Sequence, residues 1–273
     1  SQVANLREEI SALTLQQRPG DEVLLILQSG GGTVTGYGLA AAQLERLKSA
    51  GFKLTIAVEQ VAASGGYMMA CTGDKIVASP FAVLGSIGVI SDQPNVYERL
   101  KREGVEFSTV TAGKYKRTLT PTKKPTKEDF EKSKEDVEGI LVLFKDYVKR
   151  NRPGLDIDKV ATGETWFGED AVDLGLCDEL KTKDDVILEY VKKGFECYEV
   201  EYDESMTFGG GSGLGGLPFG DALTTLSNDK GGRRGGVRKW IGGMIKEAIR
   251  EEITGGEGTG IERRYMMKDD DSE

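Results

Sequence analysis

Residues 22–59, EVLLILQSGGGTVTGYGLAAAQLERLKSAGFKLTIAVE, hold two continuous apolar runs separated by a glycine turn and a helix-length stretch. Runs such as EVLLILQ (22–28) and KLTIAVE (53–59) do not alternate polar with apolar, so they read as strands covered on both faces. Between them, Tyr37 to Ala50 reads as a helix with Leu39, Gln43, Leu44 and Leu47 on its inward stripe, ending at Gly51. Strand, helix and strand in this order form a βαβ unit, and the pattern continues through SGGYMMACTG (64–73) and KIVASP (75–80). The fold class is therefore α/β.

Beyond this core, TPTKKPTKED (120–129) reads as a loop entering a helix, with Thr126 and Asp129 at capping-box spacing. Phe130, Val137, Ile140, Leu141, Phe144 and Val148 then recur at helical spacing, and the helix must stop before Pro153. Its Glu/Lys-rich opposite face reads as solvated. After Tyr202 the composition changes to glycine-rich FGGGSGLGGLPFG and GGRRGG. The expected division is a domain over 1–203, a linker over 204–236, an amphipathic helix over 237–254 and a disordered acidic tail over 255–273. That helix carries Trp240, Ile241, Met244, Ile245, Ala248, Ile249 and Ile253 between basic flanks. Such a stripe suits packing on its own domain or a neighbouring subunit, and equally contact with an anionic membrane surface or a protein groove.

Composition removes several classes of function. The 273 residues carry a net charge of −9 and a pI near 4.9, which leaves no basic face for nucleic acid. Cys71, Cys177 and Cys197 have no CxxC spacing, so neither a disulfide framework nor a zinc site is suggested. No apolar stretch approaches the ~18 residues of a membrane span, and SQVANLREEI lacks a signal-peptide core. Because the chain begins without Met, an anchor or targeting segment is expected to have been removed.

The chain has no histidine, so nucleophilic chemistry needs another base, and Ser-Lys pairs are one known solution. Four elements could supply the parts. Gly30, Gly31 and Gly32 between strand and helix can aim backbone N–H groups outward, as an oxyanion hole or phosphate cradle does. This turn is not a GxGxxG, since positions 33 and 35 are Thr, and no Walker lysine follows it, which argues against a nucleotide site. Ser64, followed by Gly65 and Gly66, reads either as a helix N-cap or as a nucleophile at the positive end of a helix dipole. Ser86 lies in LGSIGVI, and Lys114 and Lys116 lie in GKYK, where in extended chain only one of the two can face a given side. Either lysine reads as an ordinary surface residue unless burial destabilises its ammonium.

The ordered set SGGGTVTGYGLAAAQL, VAASGGYMMAC, LGSIGVI, AGKYKRTLT and ATGETWFGEDAVDLGLCDEL resembles the SohB-type branch of the signal peptide peptidase A family of serine peptidases, over roughly residues 20–190. The resemblance implies a Clp-protease/crotonase-like superhelix of βαβ units and a Ser-Lys dyad. Carried over by position, it implies Ser64 as nucleophile, Lys116, 52 residues later, as general base, and Ser86 as the hydroxyl that positions the amine. It implies an oxyanion hole from the N–H groups of Gly31 and Ser64 or Gly65. No metal or cofactor is implied. The implied substrates are signal peptides or membrane-protein fragments, cut by a membrane-associated homo-oligomer in an extracytoplasmic or organellar compartment. One departure stands out: Gly30 occupies the place of the family's usual proline, which loosens the turn. Two alternatives remain, a crotonase-like acyl-CoA enzyme and a catalytically silent scaffold or peptide-binding protein.

Overall fold

The computed structural model describes residues 2–202 together with the short segments 237–240 and 264–268. In chain order the elements are α1 (Gln2–Gln16), β1 (Glu22–Ser29), α2 (Val34–Ser49), β2 (Lys53–Ala63), α3 (Gly65–Ala70), β3 (Lys75–Ala78), β4 (Val83–Gly85) and α4 (Tyr97–Arg102). There follow α5 (Lys127–Asn151), α6 (Ile157–Val160), β5 (Thr165–Phe167), α7 (Gly168–Asp173), β6 (Glu179–Leu180), α8 (Lys183–Lys192), β7 (Glu196–Val200), β8 (Val237–Trp240) and β9 (Arg264–Lys268).

The expected βαβ units are present. β1 and β2 run parallel, and β2 pairs in parallel with β3 along Thr55–Val58 and with β4 along Val61–Ala63. The strand core runs β5-β4-β2-β1, with β3 and β6 branching from β2. Both faces are covered. Val23, Leu25 and Leu27 of β1 join Leu6, Ile10, Leu44 and Leu47 of the α1–α2 layer, whereas Leu24 and Ile26 meet Val186, Ile187 and Tyr190 of α8. This two-sided burial is why the strands read as unbroken apolar runs. Each fully buried Leu stabilises the fold by roughly 1.5–3 kcal/mol through removal from water.

Several local expectations change. α2 starts at Val34 and buries Ala40, Ala41, Leu44 and Leu47, while Leu39, read as inward, is 53% exposed. Close contact between α2 and its neighbours takes the two alanines instead. Gly51 closes the helix with φ 97° and its N–H on the Lys48 carbonyl. The capping box at Thr126 and Asp129 forms, and α5 ends before Pro153. Only Phe144 and Val148 of its apolar stripe are buried, because its N-terminal half extends beyond the core.

At the C-terminal end, Val237–Trp240 is strand β8 rather than the first turn of a helix. Arg264–Lys268, inside the stretch expected to be a disordered tail, is strand β9. β9 pairs with both β1 and β7, and β8 with β7, so these segments cover open sheet edges. The rest of the expected linker, helix and tail lies outside the described residues. No helix among the described residues is long and apolar enough to cross a membrane.

Candidate active site

The C-terminal ends of the parallel strands β1, β2 and β4 converge. Ser29 of β1 sits opposite Ala62 after a register shift past Leu27, and Ala63 sits opposite Gly85 of β4. At a C-terminal sheet edge the chain must turn sharply into its helices, and such edges are where α/β folds build sites.

Ser64 makes that turn between β2 and α3 with φ 54° and ψ −119°. These angles match the first central position of a type II′ turn, about +60° and −120°, which glycine normally occupies. Among the described residues, Ser64 and Ser86 (φ 50°) are the two non-glycine residues with positive φ. Both are held there by backbone hydrogen bonds. The Ser64 N–H donates to the Gly85 carbonyl at 2.8 Å, and the Ser86 N–H donates to the Glu164 carbonyl at 2.6 Å. Ser64 and Ser86 are therefore tied to the same strand end, one residue apart through Gly85.

The glycine turn after β1 locks against the serine turn. A Cβ on Gly31, whose φ is 96°, would lie 2.7 Å from Ser64 Cβ and 2.8 Å from Gly65 N. A Cβ on Gly66 would collide with the Ser29 carbonyl. Gly31, Ser64 and Gly65 are thus brought together as the sequence suggests. Their N–H groups are less available than expected. The Ser64 N–H is committed to Gly85, and that of Gly31 makes a long, 3.4 Å bond to Ser29 Oγ. Gly65, as the first residue of α3, has no intrahelical acceptor.

No hydrogen bond joins Lys116 to Ser64 among the described residues. Lys116 lies on an irregular excursion over residues 88–125 whose base closes where Asn95 and Val96 hydrogen-bond the carbonyls of Thr120, Pro121 and Lys123. Its side chain is exposed and makes no hydrogen bond or ion pair among the described residues; its backbone N–H donates to Gly113. Lys114 differs: it pairs with Glu128 at 2.8 Å and lies over the Tyr115 ring, and the hydrogen bond to Glu128 holds its ammonium above the ordinary lysine range. Of the two lysines, Lys116 is the one left without an ion pair.

Sequence reasoning missed Tyr37. Its hydroxyl is 2.6 Å from Ser29 Oγ, and its ring lies beside both Gly32 and Gly65. No spacing rule reveals this, because the contact arises where α2 crosses the end of β2. Among the described residues no cluster of His, Cys, Asp and Glu could hold a metal ion.

Comparison with known proteins shows the family of the chain. The model of Peptidase family S49 matches residues 46–194, and that of the Peptidase family S49 N-terminal region matches residues 1–44. The chain is 54% identical over 193 residues to a probable protease SohB of Haemophilus influenzae, covering 71% of this chain and 55% of that protein. It is 50% identical over 188 residues to a probable protease SohB of Buchnera aphidicola, covering 69% and 62%. A putative protease of Methanocaldococcus jannaschii is 34% identical over 202 residues, covering 72% and 63%. The chain thus spans between 55% and 63% of the length of these relatives.

Proposed function

The chain belongs to peptidase family S49, and from that membership we propose that it is a serine endopeptidase whose nucleophile is Ser64. The observation that carries this is the strained strand-to-helix turn at Ser64. A turn of this kind lifts a nucleophile clear of its strand, as in hydrolases of other folds, and strain of this sort collects at functional sites. The Clp-protease/crotonase-like winding of the βαβ units belongs to the same reading.

In the proposed reaction, Lys116 takes the Ser64 Oγ proton as Oγ attacks the peptide carbonyl carbon. The tetrahedral intermediate collapses to an acyl-enzyme, and the leaving amine departs with that proton. Lys116 then takes a proton from the water that attacks the acyl-enzyme and returns it to Ser64 Oγ as the acid leaves. The oxyanion would be held by the Gly65 N–H, joined by that of Gly31 once its long bond to Ser29 is given up. Ser86 would orient the Lys116 amine.

This reaction requires the 88–125 excursion to close on the site. The excursion exposes Ile90, Phe107, Val110 and Tyr115, apolar surface of the kind that assembly or substrate covers. We therefore assign a homo-oligomer, with peptides from signal sequences or membrane proteins as substrates, at a membrane surface outside the cytoplasm. A monomer mass by light scattering at micromolar concentration would refute the assembly.

A second reading has one observation in its favour: among the described residues no hydrogen bond joins Ser64 to Lys116, which suits a silent peptide-binding protein. The deciding assay is cleavage of an apolar fluorogenic peptide from pH 6 to 10 by wild type, Ser64→Ala, Lys116→Ala and Lys114→Ala. The peptidase reading expects Ser64→Ala and Lys116→Ala to be inactive though folded, with Lys114→Ala active. Binding without cleavage in every variant would establish the second reading.

A further inference from the structure

We infer that Tyr37 is a positioning residue that sets the gap between the two backbone turns of the site; this rests on the peptidase reading and extends it. The first turn, Gly30–Gly32, leaves β1, and the second, Ser64–Gly66, leaves β2. They belong to different strands, and the β1–β2 pairing that precedes them is irregular past Leu27. They meet directly where Gly31 packs on Ser64 and Gly66 on the Ser29 carbonyl, and Tyr37 is a third element in contact with both turns.

The ring supplies a wedge. A Cβ on Gly32 would lie 2.9 Å from Tyr37 Cε2, and a Cβ on Gly65 would lie 2.6 Å from Cδ2 and 2.8 Å from Cβ of Tyr37. One edge of a single ring thus touches the backbone of both turns. Aromatic rings do not deform, so on the Gly32–Gly65 side the ring holds the interlocked turns at a set separation. The hydroxyl supplies a tether, because its 2.6 Å bond orients Ser29 Oγ, which in turn receives the Gly31 N–H at 3.4 Å. The same residue thereby governs the position of Gly65 and the direction of the Gly31 N–H.

Tyr37 touches no reacting atom in this arrangement, so it acts through the turns. Misplacement of about 1 Å in such a site can lower turnover by about 100-fold. A residue that places the oxyanion donors is expected to affect the transition state more than substrate binding.

The test uses the full chain and compares Tyr37→Leu, which removes the wedge and the tether, with Tyr37→Phe, which keeps the wedge. Steady-state cleavage is measured together with amide hydrogen exchange. The proposal expects Tyr37→Leu to lower kcat by at least about tenfold with KM changed less than about threefold. Tyr37→Phe should recover most of that loss. Exchange should quicken together at Gly30–Gly32 and Ser64–Gly66 in Tyr37→Leu, with Leu24–Leu27 of β1 as protected as in wild type. Unchanged kcat in Tyr37→Leu, Tyr37→Phe as impaired as Tyr37→Leu, or faster exchange spread evenly through β1 would each overturn it. Should wild type cleave nothing, the peptidase reading fails, and the exchange comparison alone still decides whether Tyr37 couples the turns.

Discussion

Replacing Ser64 by glycine should make the protein more stable while abolishing its activity. At φ 54° and ψ −119° a side chain is strained, and strain of this kind costs about 1–3 kcal/mol, which a glycine does not incur. Against that, glycine gives the unfolded chain more freedom, which lowers stability by about 0.4–1 kcal/mol. The net gain is about 0–2.6 kcal/mol, centred near ~1.3 kcal/mol, and at about 2–4 °C per kcal/mol for a domain of this size Tm rises by up to roughly 10 °C. Ser64→Ala keeps the strain, so its Tm should stay close to wild type. Ser133→Gly within α5 provides the opposite control, because there glycine only loses helix propensity, lowering stability by about 0.5 kcal/mol. Thermal unfolding of the three variants, followed by circular dichroism at one protein concentration, makes the comparison. If Ser64→Gly melts at or below Ser64→Ala, the turn stores no strain and the argument that Ser64 is held for chemistry loses its physical basis.

Other outcomes follow from neighbouring geometry. Gly31→Ala should cost about 2–5 kcal/mol, combining a positive φ with a Cβ 2.7 Å from Ser64 Cβ, whereas Gly30→Ala, with open space around it, should be neutral or slightly stabilising; denaturant melts compare them. Thr126→Ala removes one half of the α5 capping box and should cost about 1 kcal/mol, read as a Tm fall of about 2–4 °C. Hydrogen bonds from Lys123 and from the Thr126 N–H and hydroxyl hold the Asp129 carboxyl down to about 2. Its stabilising effect is therefore complete above the unfolded value near 4 and disappears as pH falls toward 2, so Asp129→Asn should show a shallower loss of stability than wild type over that window. Burial pushes the thiols of Cys71 and Cys177 up to about 12 and that of Cys197 to about 11, so a thiol reagent at pH 8 should label none of them until denaturant is added.

Legibility in the sequence followed how local the controlling physics is. The strands, the α2 stop at Gly51 and the α5 cap depend on residues within a few positions, and all were readable. Partners distant in sequence were not. The apolar stripe of α5 reads as a core face, yet Phe130 is 57% exposed and Val137, Ile140 and Leu141 are only partly buried, because periodicity shows a face without showing what meets it. β8 and β9 form on edges supplied by strands far away in the chain, which no local pattern encodes.

The glycines of the candidate site show how residues that the fold brings together can be picked out for an incomplete reason. Read from sequence, Gly31 and Gly65 matter as N–H donors, since glycine backbones approach ligands closely. In the folded chain the stronger requirement is the absence of Cβ atoms: Gly31 against Ser64, Gly65 against Tyr37 and Gly66 against Ser29. Three glycines from two strand ends let the turns interlock, and the interlock leaves Ser64 a strained conformation that it could not hold alone. Donor availability is then a consequence, with the Ser64 N–H used to fix the turn on Gly85 and the Gly65 N–H left without an intrahelical acceptor. Glycine content therefore pointed to the two turns that interlock, while the tyrosine ring packed against both of them was not revealed by the spacing of glycines.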